Sequence, residues 1–150
     1  MENKNRKILR NIHTASRSIL YIRNISFSKY GLQRGQHTFL TRIVENPGIT
    51  QEDISLLLRI DRTTTAKAVK KIEAKGLIIR KKSTTDRRAW CLYPTEALMA
   101  IYSDIDNEIV TLSEKCTENF STSEIDMLND LLEKYMTNVN REWANTKNNI

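Results

Sequence analysis

Only four glycines and two prolines interrupt the 150 residues, so the chain reads as soluble, globular and helix-rich. Cysteine is nearly as scarce. Cys91 and Cys116 lie far apart and outside any paired motif, which excludes a disulfide scaffold or a zinc knuckle; both read as packing residues expected to be buried. No apolar run approaches the ~20 residues that a membrane helix requires, and the first residues lack the apolar core of a signal peptide. The expected location is the cytoplasm, with no membrane partner. His13 and His37 stand alone, without a second ligand at metal spacing, and nucleotide-loop and nucleophile motifs are missing. No metal, cofactor or enzymatic activity is expected. Asp104 and Glu108 do pair at helical spacing, but on the polar side of an amphipathic stretch, where a solvated face places carboxylates. The length suits one compact domain with helical extensions.

Charge is distributed unevenly. Residues 59–88 hold eleven Lys or Arg against three acids, a net +8, whereas the chain as a whole carries +6. The part before this block is mildly basic and the part after it acidic. That asymmetry points to a polyanion-binding surface on one piece of a folded protein.

Apolar residues at alternating steps of four and three (Ile8, Ile12, Ala15, Ile19, Ile22) predict a long amphipathic first helix over about 5–28. A second helix is predicted over 34–45, broken by Asn46, Pro47 and Gly48. Thr50 and Asp53 form a cap, flanked by Ile49 and Ile54 at staple positions, so a third helix should begin at Gln51 and end near Leu58. Asp61 offers another N-cap only three residues later. The fourth helix should run over 62–75, with Gly76 in the left-handed stop position and Leu77 closing on Ile72. On this helix Thr65, Ala66, Val69 and Ile72 fall on one side, and Thr63, Thr64, Lys67, Lys70 and Lys71 on the other. Residues 77–81 and 89–93 then read as strands around a charged tip, a β-hairpin. Leu98, Ile101, Ile105, Ile109, Leu112 and Cys116 make the stripe of a fifth helix. Ser121 with Glu124 is a capping box that opens a sixth, which is expected to fray from Asn145.

Two helices joined by a tight turn, followed by a hairpin, make a winged helix-turn-helix. The fold class is therefore mainly α with a small β wing. The module spans about 32–94, with dimerisation helices at about 5–28 and 95–145. Such a module docks its second helix in the major groove of double-stranded DNA. Arg62, Thr63, Thr64 and Lys67 are the candidates for base edges, and Lys70 and Lys71 for phosphates. At the hairpin tip Arg87 or Arg88 can enter the minor groove, with Asp86 accepting hydrogen bonds that hold a neighbouring guanidinium in place. Arg80, Lys81 and Lys82 are read as protection of an edge strand. The stripes on the first, fifth and sixth helices lie outside the winged module, where little other core exists to cover them, and so favour a homodimer. The alternative is a winged module that binds protein in place of DNA, but its recognition face would not need to be the most basic part of the chain.

Several segments together resemble the MarR (multiple antibiotic resistance regulator) family. They are Leu32 followed by Gly35-Gln36, the run from Ile49 to Ile54, Asp61 to Thr65, Lys75 to Ile78, and above all Asp86-Arg87-Arg88-Ala89 leading to Thr95-Glu96. The likeness spans about 8–140. Pro94 stands where the wing signature usually has Leu, which predicts a shortened second wing strand. The resemblance implies a homodimeric transcriptional regulator, usually a repressor, on a pseudo-palindromic operator and often released by a small-molecule effector. It further implies an effector pocket between the dimerisation helices and the winged module, for which His13, Arg17, Tyr30 and His37 are the candidate lining.

Overall fold

The computed structural model describes residues 3–84, 86 and 88–148. Helix α1 (Lys4–Ser26) starts on Asn3, whose side chain accepts from the Asn5 amide at 2.9 Å. It buries no residue within the chain: Ile8, Ile19 and Ile22 remain exposed. It ends two residues earlier than its periodicity suggests. A 3-10 turn (Phe27–Tyr30) follows, and Gly31 closes it at φ +69°. Phe27 turns inward there and becomes one of the most buried side chains. Helix α2 (Gln36–Glu45) begins two residues later than expected, because Gly35 adopts a left-handed φ of +77° and donates its N–H to Asn24 Oδ1 at 2.8 Å.

The cap at Thr50 forms as its sequence predicts. The Asp53 amide donates to Thr50 Oγ1 at 3.0 Å, the Thr50 hydroxyl donates to the Asp53 carboxylate at 2.7 Å, and α3 runs Gln51–Leu58. The turn into α4 (Arg62–Ala74) is closed in both directions between Ser55 and Ile60. The Ser55 hydroxyl donates to the Ile60 carbonyl at 2.6 Å, and the Ile60 amide to the Ser55 carbonyl at 3.1 Å. At the far end of α4, Gly76 sits at φ +72°, where a residue with a Cβ is strained. The Gly76 amide donates to Glu73 and the Leu77 amide to Ile72, the pairing of a Schellman stop.

Strands β1 (Ile78–Lys82) and β2 (Trp90–Pro94) pair antiparallel, Ile78 opposite Pro94 and Lys82 opposite Trp90. Pro94 therefore does not shorten the strand. The neighbouring pair, Leu77 and Thr95, exchanges the ladder bond (Thr95 amide to Leu77 carbonyl, 3.1 Å), so the position of Pro94 is one whose nitrogen points away from β1. The hairpin also has a third partner. Thr50 bridges Cys91, while Gly48 and Ile49 exchange hydrogen bonds with Leu92 at 2.8 and 2.9 Å. These contacts fasten the wing to the segment that starts α3.

The chain divides into two compact units at Ile109, inside α5 (Glu96–Cys116). The first contains the core, including Phe27, Leu40, Ile43, Ile54, Val69, Ile72, Leu92, Leu98 and Ile105. In the second, α6 (Thr122–Asn148) opens on the capping box: the Ser121 amide and hydroxyl both donate to Glu124 at 2.8 Å. These bonds, the backbone one first, hold the Glu124 carboxyl below its ordinary pKa. The helix continues to Asn148 instead of fraying from Asn145. Its apolar stripe is uncovered, with Met127 62% and Leu131 56% exposed. Cys116, expected to be buried, is exposed at the end of α5, and Cys91 is half-buried. Among the described residues no helix is long and apolar enough to cross a membrane.

Candidate nucleic-acid interface

Helix α4 separates its two faces as the 100° rotation per residue requires. Thr65, Val69 and Ile72 are buried, while Arg62, Thr63, Thr64, Lys67, Lys70 and Lys71 are all exposed. Asp61 caps the helix by accepting from the Thr64 amide at 2.8 Å. Hydrogen bonds from Thr64, its hydroxyl first and its amide second, hold the Asp61 carboxyl below the ordinary pKa. The Thr64 hydroxyl, a candidate for a base edge, is thus already used at the cap. Arg62, the first residue of α4, is also engaged: its guanidinium pairs with Glu52 in the first turn of α3.

The second half of α4 is tied to the loop that precedes α2. Lys71 Nζ donates to Gln33 Oε1 at 3.2 Å, and Lys75 Nζ donates to the Gly31 carbonyl and to Gln36 Oε1, the latter at 3.2 Å. Gln36 is buried, and its Oε1 also accepts from the Gln33 amide at 2.8 Å. Lys71 and Lys75 therefore anchor the recognition helix as well as adding charge. Sequence patterns did not reveal this, since Gln33 and Gln36 lie more than thirty residues away along the chain.

At the wing, Asp86 organises the tip. Its carboxylate accepts from the Arg88 amide at 2.9 Å and lies 3.6 Å from Arg88 Nε; its own amide donates to Ser83 Oγ at 3.2 Å. Arg88 is left 94% exposed by side chain. Arg87, the other candidate at the tip, lies outside the described residues. Between the tip and the helix-turn-helix runs a cleft of about 530 Å³ lined by Glu52, Asp53, Arg62, Asp86, Arg88 and Trp90, among others. The cleft brings Arg62 and Arg88 to one surface. Further down the wing, Arg80 and Lys82 both stand over the Trp90 ring, at 5.4 and 5.0 Å, and Arg80 pairs with Glu73 at 2.8 Å. The basic run on β1 thus packs on the wing, which goes beyond shielding an edge.

Of the four residues expected to line an effector pocket, Tyr30 and His37 meet at Phe27, and His13 and Arg17 stand apart from them within this chain. His37 is 1% exposed, with its ring 4.9 Å from that of Phe27, and Phe27 in turn lies 6.4 Å from Tyr30. His13 and Arg17 are exposed on α1, and His13 stands about 20 Å along the helix from Phe27 at 1.5 Å per residue. Burial first, and the Arg23 cation second, push His37 down to about 4. Arg23 stacks over Phe27 at 5.7 Å, and burial together with Arg42 lowers its own pKa. Tyr30 donates to Glu108 at 3.1 Å, and Lys29 pairs with the same carboxylate. Glu108 is therefore a bridge from α5 to the 3-10 turn, where its spacing alone suggested a solvated face. Among the described residues no three His, Cys, Asp or Glu side chains cluster as a metal site would need.

Comparison with known proteins agrees with this architecture. Residues 30–89 match the model of the MarR family. The chain is 35% identical over 140 residues, 93% of each protein, to the uncharacterized HTH-type transcriptional regulator YybA of Bacillus subtilis. A MarR protein from Peptoclostridium difficile is 40% identical, with a TM-score of 0.86 over 91% of this chain and 89% of that one. A Listeria monocytogenes transcriptional regulator solved in complex with a 26mer DNA is 37% identical, with a TM-score of 0.89 over 98% of this chain and 95% of that one. With its winged helix-turn-helix and relatives that match it over nearly their whole length, the chain belongs to the MarR family of transcriptional regulators.

Proposed function

We propose that this regulator binds double-stranded DNA as a homodimer, in the cytoplasm, over a pseudo-palindromic operator. Helix α4 enters the major groove and the tip of the wing the adjacent minor groove. The observation that carries this reading is the exposed cationic face of α4 lying opposite its buried face, with Arg88 presented across the same cleft as Arg62. Thr63, Thr64, Lys67 and Arg62 meet base edges; Lys70 and Lys71 meet phosphates; Arg88 and Arg87 serve the minor groove, with Asp86 fixing the turn. The winged module covers about 32–94. The helices at about 5–28 and 95–145 pair with those of a second copy, which would cover the exposed stripes of α1 and α6. Two-fold symmetry then spaces the recognition helices by about one DNA turn, ~34 Å.

In this reading the dimer represses by occluding a promoter, and a small-molecule effector releases it by favouring another spacing of the two helices. The aromatic cluster of Phe27, Tyr30 and His37, where the 3-10 turn meets α2, is the region in which such a ligand would act. The test is fluorescence anisotropy with a duplex that the protein enriches from a randomised library, against a scrambled duplex of equal length, at several salt concentrations. Preference for the enriched duplex, two protomers per site and a steep salt dependence are expected. Equal affinity for both duplexes, or affinity insensitive to salt, would refute the docking model.

A further inference from the structure

Three carboxylates line a cleft proposed to face a polyanion: Glu52, Asp53 and Asp86. Two of them have local work. Asp53 takes the Thr50 hydroxyl at 2.7 Å at the start of α3, and Asp86 takes the Arg88 amide at 2.9 Å in the wing turn. Glu52 differs. Its position in the first turn favours the α3 dipole, but any orientation of the carboxylate would serve that purpose. What it holds is Arg62, ten residues on and the first residue of the recognition helix.

The pair is solvent-facing, with the Arg62 and Glu52 side chains 77% and 58% exposed. Such a pair contributes little to folding. Its geometry matters more for what the guanidinium can do. Glu52 engages one terminal nitrogen, Nη2, and an arginine fork has five N–H donors. Nη2 carries two N–H groups, and the one that Glu52 leaves free makes a parallel fork with its neighbour on Nη1 or Nε for a second planar acceptor pair. A guanine edge offers two acceptors, O6 and N7, in the fork's plane, so Arg62 can meet it while still buttressed by Glu52. A phosphate can also take the fork through two oxygens, but it brings a negative charge to a guanidinium already shared with the Glu52 carboxylate, whereas the guanine edge is neutral.

We propose that Glu52 is a specificity-determining positioning residue: it competes with DNA phosphate for Arg62 and so reserves that guanidinium for a base edge. This rests on the DNA-binding reading above. Glu52 makes no base contact in this account and acts only through Arg62. Its effect is to lower affinity for arbitrary DNA more than affinity for the operator.

The test compares wild type, Glu52→Gln, Arg62→Ala and the double variant, each titrated against the library-enriched duplex and its scrambled counterpart. Glu52→Gln should tighten binding to scrambled DNA by about 2- to 5-fold, the strength of an exposed ion pair. It should tighten operator binding less, so that the specificity ratio falls. The salt slope on scrambled DNA should steepen by about one, as Arg62 takes up a phosphate. In the Arg62→Ala background the same substitution should move both duplexes equally and leave the slope unchanged. The proposal is overturned if Glu52→Gln leaves the specificity ratio intact, or if it changes the ratio as much without Arg62 as with it. A wild-type protein with no preference between the two duplexes would remove the DNA-binding reading itself, and this inference with it.

Discussion

Acidification should weaken the fold through His37, and the size of the effect follows from its surroundings. The imidazole is 1% exposed against Phe27, and burial plus the Arg23 cation hold its pKa near 4, against an ordinary 6.5. In the unfolded chain the ring takes up a proton as the pH falls through 6.5, while the folded protein keeps it neutral until about 4. The unfolded state binds more protons throughout that window, so stability falls as pH falls. The full gap is worth about 3 kcal/mol, and partial relaxation of the site toward water cuts this to ~1–2 kcal/mol. Most of that is already lost at pH 5. With a urea slope of ~2 kcal/mol/M, a loss of about 1 kcal/mol lowers the midpoint by roughly 0.5 M. The assay is urea unfolding of wild type and His37→Leu at fixed protein concentration, at pH 7.5, 6 and 5. The variant should lose less stability than wild type across this range, because it has no buried base to protonate. Parallel loss in both proteins, or a wild type that gains stability on acidification, would refute the reasoning. Asp61 and Glu124 do not confuse the comparison. Their carboxyl pKa values are lowered, so the stability they contribute is lost only at still lower pH.

Other substitutions probe other links. Leu98→Ala should cost about 2–5 kcal/mol in urea unfolding, since Leu98 is fully buried in the first unit; a cost below about 1 kcal/mol would show that the core closes without it. Gly48→Ala places a Cβ 3.2 Å from the Tyr93 hydroxyl at φ +90°. A loss of about 1–2 kcal/mol and faster hydrogen exchange at the Leu92 amide are expected. Lys70→Ala should weaken enriched and scrambled duplexes alike and reduce the salt slope by about one. Arg88→Ala should weaken operator binding, while Thr64→Ala should change sequence preference more than affinity for scrambled DNA. Wild-type behaviour of both variants in the anisotropy assay would count against the proposed docking.

What was legible in the sequence was local. The caps at Thr50, Asp61 and Ser121 and the stop at Gly76 each depend on residues within five positions, and all four form. The two faces of α4 follow from periodicity alone. Contacts across long separations were not legible. Thr50 meets Cys91 through backbone groups that any residue carries, and Lys75 finds Gln36 because α4 crosses the loop before α2. Pro94 leaves β2 at full length for a related reason. A strand excludes proline only where the missing N–H would face a partner, and that depends on register. Of the candidate site, the exposure of the α4 residues and of Arg88 was anticipated. The Glu52 partner of Arg62 was not, because a Glu in the first turn of a helix is common and needs no partner. Tyr30 and His37 share the Phe27 cluster while His13 and Arg17 lie elsewhere along α1, because amphipathic character places a side chain on a face of a helix but says nothing of its height along the axis.

The bridge between Thr50 and Cys91, with the bonds that Gly48 and Ile49 exchange with Leu92, ties the wing to the start of α3. A hairpin attached only at its base would swing, and the distance from Arg88 to α4 would vary from one encounter to the next. Here the second strand is also bonded to the segment before α3, which restrains that swing like a second rivet in a hinge. On the proposed docking, each protomer measures a fixed interval from major to minor groove and rejects duplexes whose local groove geometry does not meet it.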